Sequence, residues 1–204
     1  MEKARAKKRL SLYRIFTKRV LDIIASALLL IIFLIPGLII ATLIKLTSPG
    51  PVLFRQQRVG KYGRPFIIYK FRSMTVNAPA QKSTAEFTNA NQYITGIGHF
   101  LRKTSVDELP QLLNVLKGDM SVVGPRPLII TEKSINQRRH ELGIDQLLPG
   151  ITGLAQVNGR DHLNDHTKLI YDYRYCQNVS FGLDLKIVVK TISNVLMSKD
   201  IEDD

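Results

Sequence analysis

The chain has 204 residues, room for one domain and an appended segment, and 45% of them are hydrophobic. Its formal charge is +12 and its pI about 9.9, so an anionic partner is expected: nucleic acid, an anionic membrane surface or a phosphorylated substrate. A single cysteine, Cys176, excludes an internal disulfide framework and fits a reducing compartment; with no activating neighbour it reads as structural.

The charge is unevenly placed. Residues 1–19 hold eight Lys/Arg against one Glu, and no acidic residue occurs between Asp22 and Glu86. Ile23 to Ile44 is an uncharged run of 22 residues, about the length a helix needs to cross a bilayer core. No small-residue cleavage site follows it, which argues against a signal peptide, and it has no polar face for a soluble core helix. Lys18 and Arg19 precede the run, while Lys45, Arg55, Arg58, Lys61 and Arg64 follow it, so both flanks look cytoplasmic. Pro36-Gly37 lies mid-run, where proline removes a helix hydrogen bond and bends the axis. A helix that enters lipid, kinks at Pro36 and returns to the same face satisfies both observations, and is expected over a simple span.

Next, Val52–Phe54 and Phe66–Phe71 flank the turn signal Gly60-Lys-Tyr-Gly63, which predicts a β-hairpin with a basic tip. Residues 76–95, rich in Asn, Ala, Gln, Ser and Thr, read as a mobile loop or lid. Beyond Ile97 helical patterns alternate with Gly/Pro punctuation, and the last segment carries a helical apolar stripe at residues 185, 188, 189, 192, 195 and 196.

Chemistry concentrates in Arg102 to Lys117. Proline is tolerated in a first helical turn, so Pro110 predicts a helix starting at about Asp107 or Glu108, burying Leu109, Leu112, Leu113 and Leu116. In one reading Asp107 is an N-cap and Glu108 complements the helix dipole. In the other, an ionised Asp107 is a nucleophile and Glu108 holds a divalent metal. Carboxylate attack on a diphosphate brings anions together, so Mg²⁺ and fixed Arg/Lys groups are required. Arg102, Lys70, Arg72 and Arg126 are candidates, Arg126 directed by a proline on each side.

Pro149-Gly-Ile-Thr-Gly-Leu-Ala-Gln-Val-Asn-Gly-Arg160 reads as a phosphate or nucleotide contact loop, though it is neither a Walker A loop nor a GxGxxG. His162 and His166 lack an HExxH context and read as a solvated turn. Beside a lipid-embedded helix, the basic N-terminus is better explained by membrane-surface attraction than by nucleic acid.

Together the Pro-broken apolar helix, YKFRSM (69–74), SVDELPQLLNVLKGDMSVVGPRP (105–127), PGITGLAQVNGR (149–160) and SFGLDLKIVVKTI (180–192) resemble the bacterial sugar transferase family, small monotopic phosphoglycosyl transferases of capsule, exopolysaccharide and glycoconjugate assembly. The resemblance implies a mainly helical α+β fold: residues 1–47 form the basic N-terminus and re-entrant helix, and 48–204 a compact cytoplasmic catalytic domain with a β-hairpin and surface amphipathic helices. It implies that Asp107 attacks the sugar-bearing phosphate of a UDP-sugar, releasing UMP, and that undecaprenyl phosphate then takes the phosphosugar at the cytoplasmic membrane face. Glu108, with Asp107, would bind Mg²⁺, while Lys70, Arg102, Arg126 and Arg160 would contact phosphates and Asp172 would join them. Downstream glycosyltransferases are compatible partners, as is a homodimer; nucleic acid is not expected. Two departures bear on the sugar: Leu148 stands where relatives often carry Arg, so that Arg138, Arg139 or His140 would substitute or the contact is dispensable, and the chain has no Trp after Asn-Gly-Arg. A non-catalytic membrane scaffold and an ordinary glycosyltransferase releasing UDP are the alternatives.

Overall fold

The computed structural model describes residues 13–79, 90–159 and 163–197. The apolar run forms two helices, α1 (Lys18–Ile32) and α2 (Leu34–Thr47), bent by 62° at Phe33. The break falls three residues before Pro36, for a steric reason. A proline ring collides with the carbonyl four residues back, here that of Ile32, so the chain must leave α1 before Pro36 is reached. Pro36 then lies in the first turn of α2, where no N–H is missed. No single described helix is long and apolar enough to cross a membrane; only the bent pair has the length and composition.

The pair is inverted relative to a soluble helix. Fourteen large apolar side chains between Val20 and Leu46 are exposed, whereas Asp22 and Ser26 are buried against the domain. Covering that apolar surface is worth on the order of 20 kcal/mol, more than the net stability of a typical domain, so it cannot be left in water.

Strands β1 (Leu53–Val59) and β2 (Pro65–Phe71) form the expected antiparallel hairpin, with Lys70 opposite Phe54. Residues 80–89 of the expected lid lie outside the described residues, but its flanks are pinned by a Met74–Ile94 bridge and by the Thr75 N–H donating to the Tyr93 carbonyl. Helix α3 (Gly96–Lys103) starts on the Thr95 side chain, which accepts from the Gly98 N–H.

Helix α4 (Gln111–Lys117) begins later than the sequence suggests, with Pro110 at its N-cap and Gly118, at φ 95°, closing it. Its buried face is also different: Gln111, Leu112, Asn114 and Val115 face inward, while Leu113 and Leu116 are exposed. The reason is Asn114. Its Oδ1 accepts from the Tyr69 N–H and its Nδ2 donates to the Ile67 carbonyl, so the side chain stands in for a strand neighbour of β2.

Short strands β3 (Ser121–Val123) and β4 (Gly150–Thr152) pair in parallel. Two glycines of the expected phosphate loop, Gly150 and Gly153, are required by this crossing. A Cβ on Gly150 would come within 2.1 Å of the Gly124 nitrogen, and one on Gly153 within 2.1 Å of the Gly124 carbonyl oxygen. Helices α5 (Lys133–Glu141), α6 (Asp165–Asn178) and α7 (Phe181–Leu196) complete the fold. One core joins Val123, Val157, Tyr175 and Ile187; a second joins Ile68, Val115 and Met120 under the hairpin. Cys176 is buried, its thiol pushed up by burial, in keeping with a structural role. The apolar stripe of α7 mostly faces outward: Phe181, Leu185, Val189, Ile192 and Leu196 are exposed, while Ile187 fills the core.

Candidate functional site

Asp107 and Glu108 sit on a 3₁₀ turn, Val106–Glu108, entered through Ser105 at φ 55°. A left-handed serine costs roughly 1 kcal/mol, and here it turns the chain so that both carboxylates precede α4 rather than cap it. The N-cap reading of Asp107 therefore does not describe the structure.

Three elements supply cations to this turn. Lys70, near the end of β2, places its Nζ 2.7 Å from Glu108 Oε1. Arg126, from the β3–α5 connection, approaches the same oxygen at 3.5 Å. Arg102, in the last turn of α3, bears electrostatically on Asp107. Asp107 is 8% exposed, and burial pushes its carboxyl above the usual carboxylate range. Lys70, Arg102 and Arg126 oppose that rise, while the neighbouring Glu108 adds to it. A desolvated carboxylate among fixed cations is a reactive one, because it has lost its water shell without losing its charge partners.

Arg58, absent from the predicted set, belongs to this cluster. Burial lowers its guanidinium to about 10, with Arg126 adding to the fall and Glu132 and Glu108 opposing it. Lys70, Arg102 and Arg126 thus face two carboxylates, a surplus that suits an incoming anion such as a diphosphate. No group of three or more His, Cys, Asp or Glu suited to a metal occurs among the described residues. Two adjacent carboxylates still fit Mg²⁺, which characteristically takes one or two protein carboxylates and completes its shell with water and substrate phosphates.

The structure does not bring the remaining candidates to the pair. Arg72 is buried, its two terminal nitrogens donating to the carbonyls of Ile44, Ser48 and Pro49 at the end of α2. It ties the apolar helix α2 to the strand that carries Lys70, two residues away. Asp172, 1% exposed, pairs with Arg139 behind the Arg126 turn. Arg160 and His162 lie outside the described residues. Sequence reasoning also passed over Asn114, for which a mid-helix asparagine, a poor helix former, was the one signal.

The sequence model described as Bacterial sugar transferase matches residues 13–198. The chain is 43% identical over 191 residues to an uncharacterised sugar transferase, EpsL, of Bacillus subtilis, covering 91% of this chain and 90% of that protein. It is 45% identical to a UDP-glucose:undecaprenyl-phosphate glucose-1-phosphate transferase of Klebsiella pneumoniae, over 89% of this chain but only 40% of the relative. A protein of the same description from Caulobacter vibrioides is 43% identical, over 88% of this chain and 69% of the relative.

Proposed function

The chain belongs to the bacterial sugar transferase family, and on that premise we propose that it transfers a sugar 1-phosphate from a UDP-sugar to a polyprenyl phosphate, releasing UMP. The names of its relatives point to undecaprenyl phosphate as the acceptor. The observation that carries the reading is the Asp107–Glu108 pair held among Lys70, Arg102, Arg126 and Arg58 where a lipid-facing helix pair joins the domain.

In the first step an Asp107 carboxylate oxygen attacks the phosphorus that bears the sugar. The bond from that phosphorus to the UMP oxygen breaks, and UMP leaves with the electron pair. Lys70, Arg102 and Arg126 offset the charge brought together. Glu108, with Asp107, would hold Mg²⁺, which would supply further charge neutralisation there. In the second step an oxygen of the lipid phosphate attacks the aspartyl phosphosugar. Undecaprenyl diphosphosugar forms and the Asp107 carboxylate is regenerated.

The bent helix pair supports re-entry from the cytoplasmic face. At its start, Lys18 pairs with Asp184, Arg19 donates to the Val115 and Leu116 carbonyls, and Asp22 accepts from Ser121 and the Val122 N–H. At its end, Arg72 holds the last turn of α2. Both ends are thus bonded to one domain, which supports a re-entrant path over a simple span. The exposed stripe of α7 begins at Phe181, which packs edge-on against Tyr13 just ahead of α1, and extends the apolar surface along the membrane plane.

The covalent step is tested by incubating the protein with a UDP-sugar and Mg²⁺ but no lipid, then mapping peptides by mass. A phosphosugar on the Asp107 peptide, absent in Asp107→Asn, is expected. UMP formed only with the lipid present, and with no adduct, would show a single displacement instead.

A further inference from the structure

Asp172 and Arg139 form a buried polar chain that ends on the backbone of Arg126. Arg139 Nη2 pairs with Asp172 Oδ2, and its Nη1 donates to the Arg126 carbonyl at 2.7 Å. Asp172 is 1% and Arg139 8% exposed, so neither presents its charged group to a substrate. From the other side Arg58 donates to the Pro127 carbonyl at 3.2 Å. The neighbouring carbonyls are held as well: that of Pro125 accepts from the Gly150 N–H and that of Leu128 from the Val59 N–H, each at 2.9 Å. Four successive carbonyls, 125 to 128, are therefore clamped by three different parts of the fold. Within 123–129, Arg126 is the one residue that is not buried. Its side chain leaves this rigid turn toward Glu108.

A buried ion pair is costly to assemble and is weak evidence for stability in itself. A guanidinium, however, bridges a carboxylate and a carbonyl through two nitrogens of one rigid planar fork, whereas an ammonium presents its donors from a single rotatable atom. We propose that Asp172 and Arg139 are positioning residues: they fix the Pro125–Pro127 turn so that Arg126 is preorganised to receive the anionic diphosphate of the donor. This rests on the phosphoglycosyl transferase reading above and assigns Asp172 to a different task from direct substrate contact. Misplacing a catalytic cation by about 1 Å costs on the order of a hundredfold in rate, so a clamp of this kind is of use even where it adds nothing to stability.

The test is a thermodynamic cycle between Arg139→Lys and Arg126→Ala, read by calorimetric titration of the detergent-solubilised full chain with inorganic diphosphate. Arg139→Lys keeps the charge beside Asp172 but loses the fork, and is chosen to leave the protein folded; Asp172→Asn is the companion variant. Arg139→Lys is expected to weaken diphosphate binding about tenfold in the parent protein, and less than about twofold once Arg126 is alanine. In turnover, the KM for the UDP-sugar should rise about tenfold while that for the lipid phosphate stays put, a split that a general loss of folded protein would not produce. Equal losses in both backgrounds, no loss in either, or a parent protein that binds no diphosphate would each overturn the relay. Parallel assay of UMP separates the two claims: a coupled cycle without UMP release would keep the relay and remove the donor chemistry.

Discussion

Replacing Asp107 by asparagine should abolish turnover and yet make the protein more stable at neutral pH. Asp107 is 8% exposed, and burial raises its carboxyl above the ordinary 3.8. An acid whose folded pKa is raised holds its proton more tightly in the native state than in the unfolded chain. Its stabilising contribution is fully present below the ordinary value and is lost as pH rises through the folded pKa. At neutral pH the ionised carboxylate therefore works against folding, offset in part by Lys70, Arg102 and Arg126. Asparagine fills the same space without the charge. The expected gain is about 1 kcal/mol, well short of the several kcal/mol an unpaired buried carboxylate would give, because three cations remain close. For a chain of this size that is a rise in Tm of about 2–4 °C. Thermal unfolding in detergent across pH 4 to 8 reads it out. The advantage should be largest near pH 8 and shrink toward acid, where the parent Asp107 regains its proton. Asp172, also raised by burial, is common to both proteins and cancels in the difference. A lower Tm for Asp107→Asn at neutral pH, or a gain that does not change with pH, would refute the reasoning.

Pro36→Ala removes the ring that collides with the Ile32 carbonyl and should convert part of the population to a straight, spanning helix; cysteine-accessibility labelling on both membrane faces would detect it, and unchanged topology would count against the steric account of the bend. Arg72→Ala removes three hydrogen bonds to carbonyls at the end of α2 and should cost about 3 kcal/mol, measured by thermal unfolding; a change below about 0.5 kcal/mol would show that the end of α2 is held by something else. Asn114→Leu frees β2 from α4 and should lower kcat/KM about tenfold by loosening Lys70 relative to Glu108; parent-level kinetics would show that the hairpin positions Lys70 unaided.

The elements most legible in the sequence were those written in backbone chemistry. Gly60-Lys-Tyr-Gly63 between apolar stretches placed the hairpin, and Pro36 announced the bend, although the break falls at Phe33 because the ring acts on the carbonyl of Ile32. Helix α4 was harder. Leucine spacing suggested a buried face from which the structure turns Leu113 and Leu116 outward, because Asn114, a residue that patterning scores as polar surface, is the one that docks on β2. Around the site, Lys70, Arg102 and Arg126 reach the acidic pair from three separate elements, a convergence that spacing along the chain cannot express. Arg72 and Asp172 share their residue types but are spent on fixing a helix end and a turn. Charge type is visible in a sequence; which carbonyl a guanidinium finds depends on the packing of distant segments.

The central claim is that the chain passes a sugar phosphate, rather than a sugar, to a lipid phosphate. Nucleotide release from a panel of UDP-sugars, with purified protein in detergent, Mg²⁺ and undecaprenyl phosphate, tests it directly. The account predicts UMP, with sustained turnover only in the presence of the lipid and none in Asp107→Asn. UDP in place of UMP, or unchanged UMP release by Asp107→Asn, would contradict it.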